Sequence, residues 1–168
     1  MNQLGRIASA TTEVLLGLLR SSAGINAAIT EIAVERNTSL DEIQESSIRI
    51  GYLPPDAAEQ GHLTRFPLLT IYCDKVCNLQ REKFRSFSGR CRVNIELRVS
   101  GQRAEDLSQR LHLYVDALTG VLERSRGDWG QGISYGGGYE VLYAAIKSGG
   151  KNYVQAARVV AEVDVSQQ

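Results

Sequence analysis

The sequence predicts an α+β fold: a four-stranded, mainly antiparallel sheet with a long helix packed on one face and an N-terminal helical segment. Three observations carry that expectation. From Cys91 to Ser100, the apolar residues Cys91, Val93, Ile95, Leu97 and Val99 alternate strictly with Arg92, Asn94, Glu96, Arg98 and Ser100, the period of a strand with one buried and one wet face. From Ala104 to Arg124, Leu107, Leu111, Val115, Leu118 and Leu122 fall on one helical stripe, which should pack across the sheet. All three prolines, Pro54, Pro55 and Pro67, lie in residues 51–67, where they block helix propagation and central-strand pairing alike.

Taken in order, residues 3–20 space Leu4, Ile7, Val14, Leu15, Leu18 and Leu19 as an amphipathic helix. A second helical pattern begins at Ile25 and runs through Ile29, Ile32 and Ala33 to end near Asn37. Ser39 followed by Glu42 matches a capping box, so a short third helix from Leu40 is one reading and a turn the other. Leu68 to Lys75 reads as a strand, 78–89 as a charged loop, and 127–138, rich in glycine, as an irregular loop. Tyr139 to Lys147 and Tyr153 to Val165 read as two further strands joined by the glycine turn 148–152. The order helices, strand, strand, helix, strand, strand gives two hairpin-like pairs flanking a crossing helix. The chain divides into a helical segment 1–50, a proline-containing connection 51–67 and an α+β core 68–168, of a total length that suits one domain.

Lys plus Arg and Asp plus Glu number 19 each, so no overall field draws the chain to nucleic acid or to an acidic membrane. The apolar run Val14 to Leu19 is far shorter than the roughly 20 residues that cross a bilayer. Three cysteines and no charged-then-apolar leader predict free thiols in a reducing compartment. Cys73 and Cys77 show no second pair of ligands at zinc spacing, and the simplest reading sets Cys73 against Cys91 as small hydrophobes in neighbouring strands. Gly149-Gly150-Lys151 lacks the first glycine and the hydroxyl of a phosphate loop, since Ala145 and Asn152 stand there. His62 and His112 belong to no nucleophile-and-base pattern. Neither a catalytic constellation nor a cofactor motif is read, and the expectation is a protein that is not an enzyme.

Charge is uneven despite its zero sum. Residues 31–59 hold seven acidic residues against two arginines, net −5, and residues 81–98 hold six basic residues against two glutamates, net +4. Solvated faces account for such runs by default; a sharper reading is a head-to-tail interface that closes a ring. Its candidate contacts are Asp41, Glu42 and Glu45 on the acidic side. On the basic side they are Arg81, Lys83, Arg85, Arg90, Arg92 and Arg98, with Glu96 among them. Trp129 and Tyr135 are added because aromatics favour strands and protein interfaces.

Several stretches carry a family likeness: Phe66-Pro67-Leu68-Leu69-Thr70-Ile71-Tyr72-Cys73-Asp74, the loop from Glu82-Lys83-Phe84-Arg85 to Gly89, Tyr114-Val115-Asp116-Ala117, Tyr135 to Val141, and Gly149-Gly150-Lys151-Asn152-Tyr153-Val154-Gln155-Ala156-Ala157. Over residues 60–166 the chain resembles the tail terminator, or tail completion, proteins of long-tailed bacteriophages, neck components that cap the tail tube and join it to the head. The resemblance implies a small non-catalytic α+β fold assembled as a homo-oligomeric ring, usually a hexamer, around the DNA channel. Implied partners are further copies of the chain, the tail tube protein, and a head-completion, stopper or connector protein, with DNA passing through the lumen without sequence-specific binding and no membrane. Implied locations are the virion neck and, during assembly, the host cytoplasm. The alternatives are a head-side adaptor or stopper of the same neck, and a small ligand-binding regulatory domain.

Overall fold

The computed structural model describes residues 6–53, 65–78 and 84–168. Its helices are α1 (Ile7–Arg20), α2 (Ile25–Glu35) and α3 (Ala104–Arg124). Its strands are β1 (Ile48–Ile50), β2 (Leu68–Cys77), β3 (Phe87–Gly101), β4 (Gly127–Gly130), β5 (Ile133–Tyr143), β6 (Lys147–Gly149) and β7 (Asn152–Gln167). The α+β class is as expected, and the sheet is larger. Seven strands lie in the order β1-β2-β3-β7-β5-β4, with β6 also on β7; β1 runs parallel to β2 and every other pairing is antiparallel.

The alternation that marks Cys91 to Ser100 extends over most of β3 and recurs in β7, and the two strands pair from Phe87 opposite Gln167 to Gly101 opposite Tyr153. One side of this sheet faces the helices. Leu69 and Ile71 of β2, Cys91 to Val99 at alternate positions of β3, and Ala157, Val159, Ala161, Val163 and Val165 of β7 are buried there. Helix α3 covers β3 and β7 with Leu107, Leu111, Val115, Leu118 and Leu122, the stripe the sequence predicts, while α1 covers β1 to β3 and α2 packs beside α3. Ile7, Leu15, Leu19, Ile25 and Ile29 belong to the same hydrophobic cluster as the sheet. At about 1.5–3 kcal/mol for each fully buried large apolar side chain, this layer is the main source of stability.

Three expectations need correction. The glycine-rich stretch 127–138 is not an irregular loop: it forms β4 and the first half of β5. Ile133 and Tyr135 face inward and are buried, and glycines fit the backbone where a side chain would not. Gly132 has φ +76, and a Cβ there would lie 2.0 Å from the Ser166 carbonyl oxygen. Gly137 has φ +100 within the bulge between Tyr135 and Tyr139. Glycine here is the condition for close pairing rather than a sign against it.

No helix starts at Leu40. The backbone N–H of Ile43 donates to Asn26 Oδ1 at 2.8 Å, its carbonyl accepts from Asn26 Nδ2 at 2.9 Å, and the Asp41 carbonyl accepts from the Tyr114 hydroxyl at 2.8 Å. These groups would otherwise serve helical bonds. Only a single 3-10 turn, Glu45–Ser47, forms before β1.

The C-terminal strands also differ in extent. β5 ends at Tyr143, and a separate β6 begins at Lys147, so Tyr139 to Lys147 is not one strand. β1 is a strand missed inside the segment read as helical, because Ile48-Arg49-Ile50 is too short to show a period. Pro54, Pro55 and His62 of the proline-containing connection lie outside the described residues.

Candidate assembly surface

Helices cover one face of the sheet; among the described residues none covers the other. Thr70 and Tyr72 of β2, Arg92, Asn94, Glu96 and Arg98 of β3, and Arg158, Val160, Glu162 and Asp164 of β7 share this outer face by register. The sequence marks the β3 residues as wet, and the structure corrects that for two of them. Asn94 is 1% exposed and Arg98 6%. The Leu53 carbonyl accepts from Arg98 Nη2 at 2.8 Å, and the same nitrogen donates to Glu96 Oε2 at 3.0 Å. The Tyr72 hydroxyl donates to Glu96 Oε1 at 3.0 Å, and the Tyr52 ring meets Tyr72 edge-on. Burial pushes the Tyr72 phenol above its ordinary pKa, and Arg158 opposes that shift. Three buried polar atoms on this face, Thr70 Oγ1, Asn94 Nδ2 and Arg98 Nη1, have no hydrogen-bond partner among the described residues.

Beyond this network the outer face carries two hollows. One, of about 330 Å³, is lined by the small residues Ala144, Ala145 and Ala156 with Val154, Leu142, Glu96, Arg98 and Arg158. The other, of about 440 Å³, is polar and lies among Arg90, Arg92, Glu140, Glu162 and Asp164. Leu142, directly opposite Arg158, is 41% exposed on this face.

The candidate basic residues mostly find acidic partners within the chain. Arg90 meets Asp164 at 3.1 Å and Glu162 at 3.6 Å. Arg92 grips Asp74 through two hydrogen bonds, and Arg98 meets Glu96. Arg85 donates to the Ser166 hydroxyl. Arg81 and Lys83 lie outside the described residues.

The acidic candidates sit on the helix side. Asp41 is 3.8 Å from Arg110 of α3. The Glu45 carbonyl accepts from Arg20 of α1 at 3.2 Å. Glu42 is exposed between them. The structure thus places the described basic candidates on or near the outer face and Asp41, Glu42 and Glu45 on the helix side, and does not join the two groups within the chain.

Tyr135 is buried rather than at the surface, and Trp129 is half-buried. Tyr135 is 2% exposed, with its hydroxyl donating to the Gly138 carbonyl at 3.2 Å, and Trp129 Nε1 donates to the Ser125 carbonyl at 2.6 Å. Their rings pack 5.3 Å apart, because β4 and β5 fold both toward the end of α3. The exposed aromatics among the described residues are Tyr52, Phe84, Tyr139, Tyr143 and Tyr153; Tyr139 donates to Glu123 of α3, and Tyr143 meets His112 edge-on. Leu142, Tyr72 and Arg158 escape the sequence reading. For Leu142 and Arg158 the signal is the small residues Ala144, Ala145 and Ala156, which leave room around them.

No three His, Cys, Asp or Glu side chains among the described residues are grouped to hold a metal ion. No helix among them is long and apolar enough to cross a membrane. No protein-family model and no curated protein matches the chain.

Proposed function

We propose that the chain is a structural, non-catalytic subunit of a long-tailed bacteriophage neck, a tail terminator that forms a ring, caps the tail tube and joins it to the head. The observation that carries the reading is the one-sided layering: helices bury one sheet face, while the outer face keeps polar and apolar hollows and carries Leu142 exposed. A face of this kind suits protein contacts, which combine apolar centres with polar rims. A head-to-tail arrangement would set the Asp41, Glu42 and Glu45 side of one copy against the arginine-bearing side of the next, where Arg90, Arg92 and Arg98 would exchange carboxylate partners within the chain for those of the neighbour. The ring is taken as a hexamer with DNA in its lumen, located in the virion neck and, before that, in the host cytoplasm; tail tube and head-completion proteins are its partners.

Electron microscopy of tail tubes polymerised with and without the protein tests this reading. Capped tubes that stop growing support it, and tubes that elongate unchanged count against it. If the protein instead binds the head connector and ignores the tubes, it is the head-side adaptor or stopper of the same neck. The 330 Å³ hollow, with Glu96, Arg98 and Arg158 on its wall, favours one second reading, a small ligand-binding regulatory domain. A reproducible ligand-induced thermal shift, lost in Arg158→Ala, would support that one.

A further inference from the structure

Cys73 of β2 and Cys91 of β3 both face the helices, and their sulfurs lie 2.7 Å apart. Neither is in a disulfide. A bonded pair sits at about 2.05 Å, so joining them requires a movement of roughly 0.7 Å. The ladder explains the approach. Cys73 stands opposite Val93 and Lys75 opposite Arg92, so Asp74 is an extra residue, and beyond it Val76 stands opposite Cys91. A bulge of this kind re-aims the side chains beside it, here turning Cys73 along the strand toward Cys91.

The two thiols are unequal. Cys73 is half-buried and Cys91 fully buried. A hydrogen bond from Cys91 draws the Cys73 thiol down to about 7, while the same bond and burial push Cys91 up. Thiolate is the reactive form, so Cys73 is the nucleophile of the pair and Cys91 the resolving thiol. Cys77 does not compete, because its pairing with Arg90 turns it to the other face of the sheet.

We propose that Cys73 and Cys91 form an oxidation site, closed to a cross-strand disulfide by a hydroperoxide. This assignment is independent of the neck reading. In the first step the Cys73 sulfur attacks a peroxide oxygen, the O–O bond breaks, and hydroxide or alkoxide leaves, giving a sulfenic acid. In the second the Cys91 sulfur attacks the Cys73 sulfur, the S–O bond breaks, and the Cys91 proton leaves with the hydroxide as water. The thiols lose two electrons and the peroxide gains them, so hydrogen peroxide gives two waters. The product ties β2 to β3 at the bulge and raises Tm by on the order of 5 °C.

The test uses the full chain treated with hydrogen peroxide, then denatured for thiol titration and digested for peptide mapping. Titratable thiols fall from three to one in the wild type and from two to none in Cys77→Ser. Cys73 is found joined to Cys91, and dithiothreitol restores the thiols. Sulfinic acid at Cys73 with Cys91 still titratable overturns the proposal, as does a linkage through Cys77 or the persistence of all three thiols. The wild-type map decides the matter even if Cys91→Ser fails to fold.

Discussion

Arg92 holds Asp74 with both arms of its guanidinium, Nε to Oδ1 at 2.8 Å and Nη2 to Oδ2 at 2.9 Å, at the point where β2 carries its extra residue. The contact keeps the Asp74 carboxyl below its ordinary range. A carboxylate whose pKa is lowered by folding contributes stability that is fully present above its unfolded value of about 3.9 and is lost as pH falls through the folded value. The urea midpoint of the wild type should therefore drop more steeply below about pH 4 than that of Arg92→Gln, which lacks the partner. Parallel acid limbs in the two proteins would contradict this.

Ile95 is fully buried at the centre of β3, between Ile71 of β2 and Val159 of β7. Ile95→Ala should lower unfolding free energy by about 2–5 kcal/mol, read from urea denaturation. Ile95→Asp places an unpaired charge in the same site and should yield no soluble folded protein. Soluble Ile95→Asp with wild-type circular dichroism would show that the helix-facing layer is not the core.

Gly132 and Gly136 separate the hairpin from a loop. Gly132→Ala must adopt φ near +76 and bring Cβ onto the Ser166 carbonyl, a loss of at least about 1–3 kcal/mol from the backbone alone. Gly136 has open space around its Cβ position and no positive φ, so Gly136→Ala should stay within about 1 kcal/mol of the wild type. Equal effects in thermal unfolding would mean that β4 and β5 do not pair as described.

Long, regular elements were legible in the sequence and tertiary compensation was not. The period of β3 and the stripe of α3 come from burial on one side, which writes itself into alternate or helically spaced residues. The β4–β5 hairpin hides because its glycines signal a turn unless the close approach of Ser166 is known. The segment after Leu40 hides because Asn26 and Tyr114, distant in sequence, take up its backbone groups. The charge runs were visible, but the internal partners of Arg90 and Arg92 were not, since Asp164 and Asp74 reach them only through strand register.

Leu142 probes the outer face without touching the core. It is 41% exposed and borders the 330 Å³ hollow. Leu142→Asp should leave thermal stability within about 1 kcal/mol of the wild type and reduce self-association at least tenfold. A variant that assembles as the wild type does would move the contact surface elsewhere.

The proposed ring is tested most directly by size-exclusion chromatography with light scattering on the purified full chain, alone and with tail tubes. The account predicts a discrete closed oligomer of about six copies, or its appearance on addition of tubes. A strict monomer under both conditions would contradict it.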